Sequence, residues 1–330
     1  SQRSEAVMQR VWLYCWDAER FISRGAEEIM KEEIKYDRHE EEWEKAINDE
    51  DRKKVSLTWL DQELTLDRWR HDRMYDSLKP MIDLDNTFSW LTVGDGRYGT
   101  DANALFRLGA TKVMCTDISD RLLQIGNEKG FIKDFSAQNA ENLTFINDQF
   151  DFTLCKEAYH HFPRPHIALH EMLRVSKLGV ILMEPLDANI EAKFLNKLFP
   201  LIKRLLGRSS NKDGHGFEPV GNYVFSVSER ELEKVQLGMH RRHVAYKYVN
   251  DYYETGFEFV QLDSQNKSDI RKIRKTKFLI NIRNFLSRFN LISSGLLIAI
   301  LFKEEPSSSL VKSLKHSGWQ VKTLPRNPYL

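Results

Sequence analysis

Apolar residues recur along this chain with two different periods, and the switch between them divides it. Over residues 1–87 the spacing is helical: VWLYCWDAERFI near the start, then WLDQELTLDRWRHDRMYDSL with the apolar residues Trp59, Leu66, Trp69 and Leu78, around a strongly acidic stretch, Glu27–Asp51. From Phe88 to Pro185 short apolar runs alternate with helix-length segments. FSWLTV predicts a strand, Thr100–Leu108 a helix stopped by Gly109, TKVMCTD a strand, and Ser119–Lys129 a helix ended by Gly130. A weak strand near 133–138, a strand at Phe150–Cys155, a helix over Pro163–Lys177 and the strand VILMEP follow. Alternation of this kind predicts parallel βαβ units and an α/β, doubly wound, mostly parallel seven-stranded sheet, with ligands at the carboxyl ends of its strands.

After Pro185 the rhythm loosens. Glu191–Arg208 is amphipathic, Asn211–Asn222 is a glycine-rich loop, and Ser228–His240 is a helix opened by a Ser-x-x-Glu capping box. Residues 186–255 therefore read as a lid inserted over the binding edge. The end of the chain, from the apolar run Leu296–Phe302, reads strand, helix, strand and completes the sheet. Four regions result: a helical extension at 1–87, an α/β core at 88–185, the lid at 186–255, and the completing elements at 256–330.

Composition narrows the classes. With 49 basic against 48 acidic residues the net charge is +1, so no global field argues for nucleic acid. Cys15, Cys115 and Cys155 form no C-x-x-C pair, and two of them fall in predicted strands. That suits buried thiols in a reducing compartment, and the first residues, SQRSEAVMQR, lack the apolar core of a signal peptide, so the cytoplasm is the expected location. The apolar segment 278–302 is broken by Arg283 and Arg288, and Gly295–Phe302 is too short to span a bilayer. Residues 269–290 are basic and amphipathic; they can lie on an anionic lipid surface or hold an anionic substrate, although a solvated face packed on the domain is the commoner outcome. The N-terminal helices offer a surface for oligomer formation. The aromatics of DYYETGFEF, 251–259, could stack on a sugar or base, although at strand alternation core packing is the commoner outcome.

Directly after the first strand comes LTVGDGRYGTDA, with Gly94, Gly96 and Gly99 in G-x-G-x-x-G spacing. Such a loop presents backbone N–H groups and a helix N-terminus to a ligand. A pyrophosphate would meet the Asp95 carboxylate there at unfavourable Coulomb energy, whereas a ligand bearing cationic groups would be favoured. S-adenosylmethionine (SAM) has an ammonium, a sulfonium and a ribose, and Asp117, ending the second strand, is placed to accept the ribose hydroxyls.

VGDGRYG, CTDIS, AQNAENLTF, FDFTLCKEAYHHF and ALHEMLRVSKLGVILMEP together resemble, in order and spacing, the successive motifs of class I SAM-dependent methyltransferases, most nearly the type 11 branch. The resemblance covers about 88–185. It implies a Rossmann-like methyltransferase fold, with Gly94, Asp95, Gly96 and Gly99 around the methionine part of SAM. It places Asp117 on the ribose, Ile118 against the adenine, and Asn139 and Ala140 near the adenine amino group, with Lys156 and Glu157 facing the methionine or the acceptor. Asn139 stands where the family usually has an aspartate, and Thr92 where it often has an acid.

Methyl transfer to a hydroxyl needs alignment, exclusion of water and removal of a proton. His160 and His161 follow the fourth strand, and either could be the base; His161 aligns with the histidine most often seen in this motif of the family. Glu157 could polarise a histidine, and His215 in the lid is an alternative base. Glu184 and Asp187, flanking the end of the fifth strand, are candidates for acceptor contacts. No metal-ligand spacing stands out, so no metal is expected. The expectation is a SAM-dependent methyltransferase acting on the oxygen of a small polar acceptor such as a sugar or glycan. A protein or nucleic-acid methyltransferase, or a SAM-binding scaffold without turnover, is the alternative.

Overall fold

The structure, a computed structural model, describes residues 36, 38, 41, 48–187, 190, 193, 195, 216–218 and 222–329. The segment VWLYCWDAERFI, most of Glu27–Asp51 and of Glu191–Arg208, and the greater part of Asn211–Asn222 with His215 lie outside the described residues. The chain separates into two units, 1–39 and 40–330. Of the first only Tyr36 and Arg38 are described; the sheet and the helices that cover it belong to the second.

Helices α1 (Glu50–Leu60), α2 (Leu66–Tyr75) and the short α3 (Lys79–Ile82) lead into strand β1 (Ser89–Val93). The α/β alternation then runs α4 (Thr100–Leu108), β2 (Lys112–Asp117), α5 (Arg121–Glu128), β3 (Asp134–Ala137), β4 (Phe150–Lys156), α6 (Pro165–Val175) and β5 (Ser176–Pro185). A small hairpin, β6 (Gly216–Phe217) and β7 (Tyr223–Val224), precedes α7 (Glu229–Gly238) and β8 (His243–Val249). Helix α8 (Lys267–Arg288), β9 (Leu296–Phe302), α9 (Ser308–His316) and β10 (Gln320–Thr323) complete the chain.

One eight-stranded sheet has the order β10-β8-β9-β5-β4-β1-β2-β3. Its β1 to β5 are mutually parallel, and β9, β8 and β10 are antiparallel to their neighbours. Consecutive strand residues point to opposite faces. Trp90, Phe152 and Ile300 therefore pack with α3, α4 and α9, while Leu91, Val180 and Leu301 pack with α6 and α7. Both faces being covered, β9 is wholly apolar and β5 carries the continuous apolar run Val180–Met183 rather than an alternation. Chain order reverses between β1 and β4, and the crevice outside their carboxyl ends is where such a sheet receives a ligand.

Two sequence expectations change. HVAYKYV, placed within the lid, is β8 and pairs with β9 and β10, which raises the strand count from seven to eight. Its Val244, Tyr246 and Tyr248 face the α6/α7 side and Ala245 and Val249 the other, so the run is core. DYYETGFEF is not a strand but a loop ending in a 3-10 turn, Phe257–Phe259, held by Phe257 against Leu66 and Ile273. Among the described residues no helix is long and apolar enough to cross a membrane.

Candidate active site

The β1–α4 turn is built by glycine. Gly94 has φ +76° and Gly99 φ +80°, backbone conformations that a side chain strains. A Cβ on Gly94 would lie 2.5 Å from Cβ of Ala158 in the loop after β4, and one on Gly99 would lie 2.6 Å from Ile132. The turn can thus press against the β4 loop at Gly94, and against Ile132 at Gly99, only because both positions lack a side chain.

Asp95 does not play the part expected of it. Its carboxylate turns inward and accepts from Asp101 N and Ala102 N, both at 2.9 Å, from the Thr92 hydroxyl and from the Cys115 thiol. It closes the first turn of α4, where orphan N–H groups need an acceptor. Burial, followed by the nearby Asp101, raises its carboxyl well above the usual range. The inference from Asp95 to a cationic ligand is therefore corrected: the charge belongs to the turn's own structure.

Asp117 is different. It ends β2 and is 6% exposed, with Ser119 N donating to it at 3.2 Å. Burial pushes its pKa up to about 6 against the backbone N–H groups of Ser119, Ile118 and Gly96, and no cationic side chain contributes. A buried carboxylate beside the glycine turn without a cation suits hydroxyl donors from a ligand, as a ribose has. Ile118 and Ala140 are half-buried near by in the chain. Asn139 uses Oδ1 to accept from Glu141 N at 2.9 Å, closing its own turn and leaving the second lone pair.

At the end of β4 a polar cluster gathers that sequence reading divided between two regions. Lys156 Nζ bonds Glu157 and lies 5.4 Å from the ring centroid of Tyr75. Tyr75 donates to Asp101, and His71 Nδ1 is 3.6 Å from Glu157. Burial alone would raise Glu157; the Lys156 ammonium outweighs it and holds its carboxyl well below the usual range. Burial, and then Lys156, push the His71 imidazole well below its ordinary value, so it is neutral. Its Nδ1 is buried without a hydrogen-bond partner. His71 and Tyr75 come from α2, in the helical extension, and were missed as site residues; four residues apart on one helix, they share a face. That orphan nitrogen and the uncompensated Asp117 fit a ligand carrying hydroxyls at one end and further polar groups at the other, as SAM does.

The two histidines separate. His160 Nδ1 bonds Oε2 of Glu184, which is fully buried near the end of β5 and also accepts from Ala158 N and Tyr159 N at 3.2 and 3.0 Å. Burial disfavours the imidazolium, but the Glu184 hydrogen bond and charge outweigh it and raise the pKa of His160. His161 is half-exposed and its Nδ1 is 2.9 Å from Glu218. Its carbonyl accepts from Asn222 at 2.7 Å, so it is tied to the β6–β7 hairpin. Asp187 N bonds Val227 O, and the Asp187 side chain accepts from Ile190 N.

At the same carboxyl edge, beyond β5 and β9, a cavity of about 680 Å³ opens. Its lining includes Lys193, Lys247, Asn250, Asn284, Ser287 and Gln320. The surface is mostly polar, with amides, hydroxyls, the cations Lys193, Lys247 and Arg288 and the carboxylate of Glu229, beside Leu186 and Ile292.

Residues 91–183 match the family model described as a methyltransferase domain. The chain is 31% identical over 125 residues to the demethylmenaquinone methyltransferase of Paenarthrobacter aurescens (strain TC1), covering 36% of this chain and 48% of that protein. It thus spans about half the length of the curated relative it matches. Among solved structures, magnesium protoporphyrin IX methyltransferase (ChlM) from Synechocystis PCC 6803 with bound SAH aligns at TM-score 0.41 and 14% identity, over 82% of this chain and 94% of that one. A SAM-dependent methyltransferase from Archaeoglobus fulgidus aligns at TM-score 0.41 and 15% identity, over 70% and 93%. The matched segment holds the glycine turn, Asp117 and His160 and ends one residue before Glu184; residues 91–183 are thus similar to a methyltransferase domain.

Proposed function

We propose that the chain is a SAM-dependent methyltransferase that methylates an oxygen of a small polar acceptor, such as a sugar or glycan, with His160 as the base. The observation that carries this reading is the buried His160–Glu184 pair at the carboxyl ends of β4 and β5. A carboxylate on Nδ1 fixes the tautomer and leaves Nε2 to take a proton. When bound, SAM supplies an electrophilic methyl group. Asp117 holds the ribose hydroxyls, the turn at Gly94–Gly99 lets the backbone approach, and His71, Lys156 and Glu157 bind the polar methionine end. With SAM bound, His160 Nε2 would take the acceptor's hydroxyl proton as the oxygen bonds the methyl carbon and the carbon–sulfur bond breaks, leaving S-adenosylhomocysteine, and Glu184 would stabilise the imidazolium. His161, bound to Glu218, positions the hairpin. The polar cavity beyond β9 supports a hydroxylated acceptor extending along the sheet edge.

The test combines transfer of labelled methyl to a panel of sugars and glycans with two variants. His160→Gln should lose roughly a hundredfold or more in turnover while S-adenosylhomocysteine affinity holds, and His161→Gln should stay near wild type. Because the neutral imidazole is the active form, wild-type turnover should rise with pH through a value above the ordinary imidazole range; His160→Gln should lose that rise. Label appearing only in protein or nucleic acid, or tight SAH binding with no transfer to any acceptor, overturns the proposal.

A further inference from the structure

Helix α8 packs on the domain through Ile273, Thr276 and Ile280, a narrow buried face. Its aromatic residues lie on the other side. Phe278, Phe285 and Phe289 are 63%, 61% and 59% exposed, and Ile282 is 39% exposed. Their spacing of four, three and four residues makes one stripe along the helix. The rings of Phe285 and Phe289 lie 4.9 Å apart, tilted by 56°.

The same stripe continues towards the helix N-terminus, at the same spacing, as Arg274, Arg271 and Lys267. All three are exposed, and none forms an ion pair with a described residue. Cations beside the stripe are used by the fold: Lys275 pairs with Glu254, Lys277 lies over Trp69, and Arg283 donates to Asp251 O. The helix has one acid, Asp269, which accepts from Ser264 on the opposite side. The exposed face is therefore cationic at one end, aromatic at the other, and free of negative charge.

We propose that this face of α8 docks on an anionic lipid surface. A row of exposed phenylalanines beyond the ordinary scatter of surface apolar residues marks an interaction site. A protein partner of ordinary affinity needs about 20–30 residues a side in complementary shape. Here seven residues form a single ridge along one helix. A bilayer needs no such shape: it accepts aromatic rings at the headgroup–acyl boundary, while its charge attracts the adjoining cations. Contact is oblique, with the Phe289 end inserted and the Lys267 end on the headgroups. This surface is independent of the acceptor assigned above.

Full-length protein is sedimented with vesicles of phosphatidylcholine alone and of phosphatidylcholine with phosphatidylserine. Binding is expected to the second only, released by salt. A variant with Lys267→Ala, Arg271→Ala and Arg274→Ala should bind roughly a hundredfold more weakly, about fivefold per cation. The variant Phe278→Ser, Phe285→Ser and Phe289→Ser should lose about tenfold or more. Since all six side chains are exposed, both variants should unfold at the wild-type temperature, which separates lost docking from lost folding. Wild-type protein remaining in the supernatant with both vesicle types overturns the proposal. So does an aromatic variant that binds like wild type, or one whose only change is a smaller oligomer in gel filtration, which would make the stripe a contact between copies.

Discussion

Two aspartates at the sheet edge show what a single residue's environment decides. Asp95 satisfies four donors of its own fold, whereas Asp117 is buried without a cation beside the glycine turn. Their variants should therefore move stability in opposite directions. Asp95→Ala leaves two helix N–H groups unsatisfied and should cost about 1–3 kcal/mol, seen as a lower Tm. Asp117→Asn removes a charge whose folded pKa, about 6, is raised from 3.8. For an acid raised in this way, the favourable protonated form is present at low pH and its contribution disappears as pH rises from 3.8 to 6. The buried charge then costs roughly 3 kcal/mol at most near neutrality. Asp117→Asn should accordingly raise the Tm of the ligand-free protein at pH 7, lose that advantage below about pH 4, and bind S-adenosylhomocysteine weakly. A drop in Tm at pH 7 would contradict this assignment. Spacing made both aspartates visible in sequence; what it could not convey was the direction of each carboxylate, which depends on Thr92, Cys115 and the start of α4.

At the scale of elements, the regular β–α alternation was legible because every strand but the weak β3 has an apolar run and the helices end at a glycine or a change of period. Thr100–Leu108 and Leu296–Phe302 occur with the predicted limits. Boundaries failed where tertiary pairing decides: HVAYKYV has a strand's alternation, but only β9 beside it makes it part of the sheet. Likewise α8 was recognisable as a helix, while the face it buries depends on Leu66, far away in sequence, as well as on the nearby Phe257. The β1–α4 turn permits a sharp test. Gly94→Ala introduces a methyl group 2.5 Å from Ala158 Cβ at φ +76°, so unfolding and cofactor affinity should both suffer. Adding Ala158→Gly should relieve the collision but leave about 1–2 kcal/mol of backbone strain. Full recovery in the double variant would show that φ carries no cost there.

For the whole molecule, the helical extension is part of the site rather than an appendage. Arg70 of α2 donates to Asp67 at 2.6 Å and to Asp251 from the loop after β8, with Tyr253 under its guanidinium at 4.8 Å. Arg70→Leu leaves two carboxylates without their cation and should cost about 3–5 kcal/mol, read as a lower denaturant midpoint. Combining it with Asp67→Asn and Asp251→Asn should restore much of the loss, because no uncompensated charge then remains. A triple variant as unstable as the single one would point to packing instead. Nothing in the spacing of 1–87 could have revealed this tie, since its two ends are 181 residues apart.

That separation also sets a timetable. During synthesis at about 5–20 residues per second, Asp251 emerges roughly ten to forty seconds after Arg70. Until then α2 has the Asp67 half of its anchor but not the other, and the wall bearing His71 and Tyr75 cannot be locked in place. The nascent α/β core therefore exists for a time with its ligand crevice open on the α2 side.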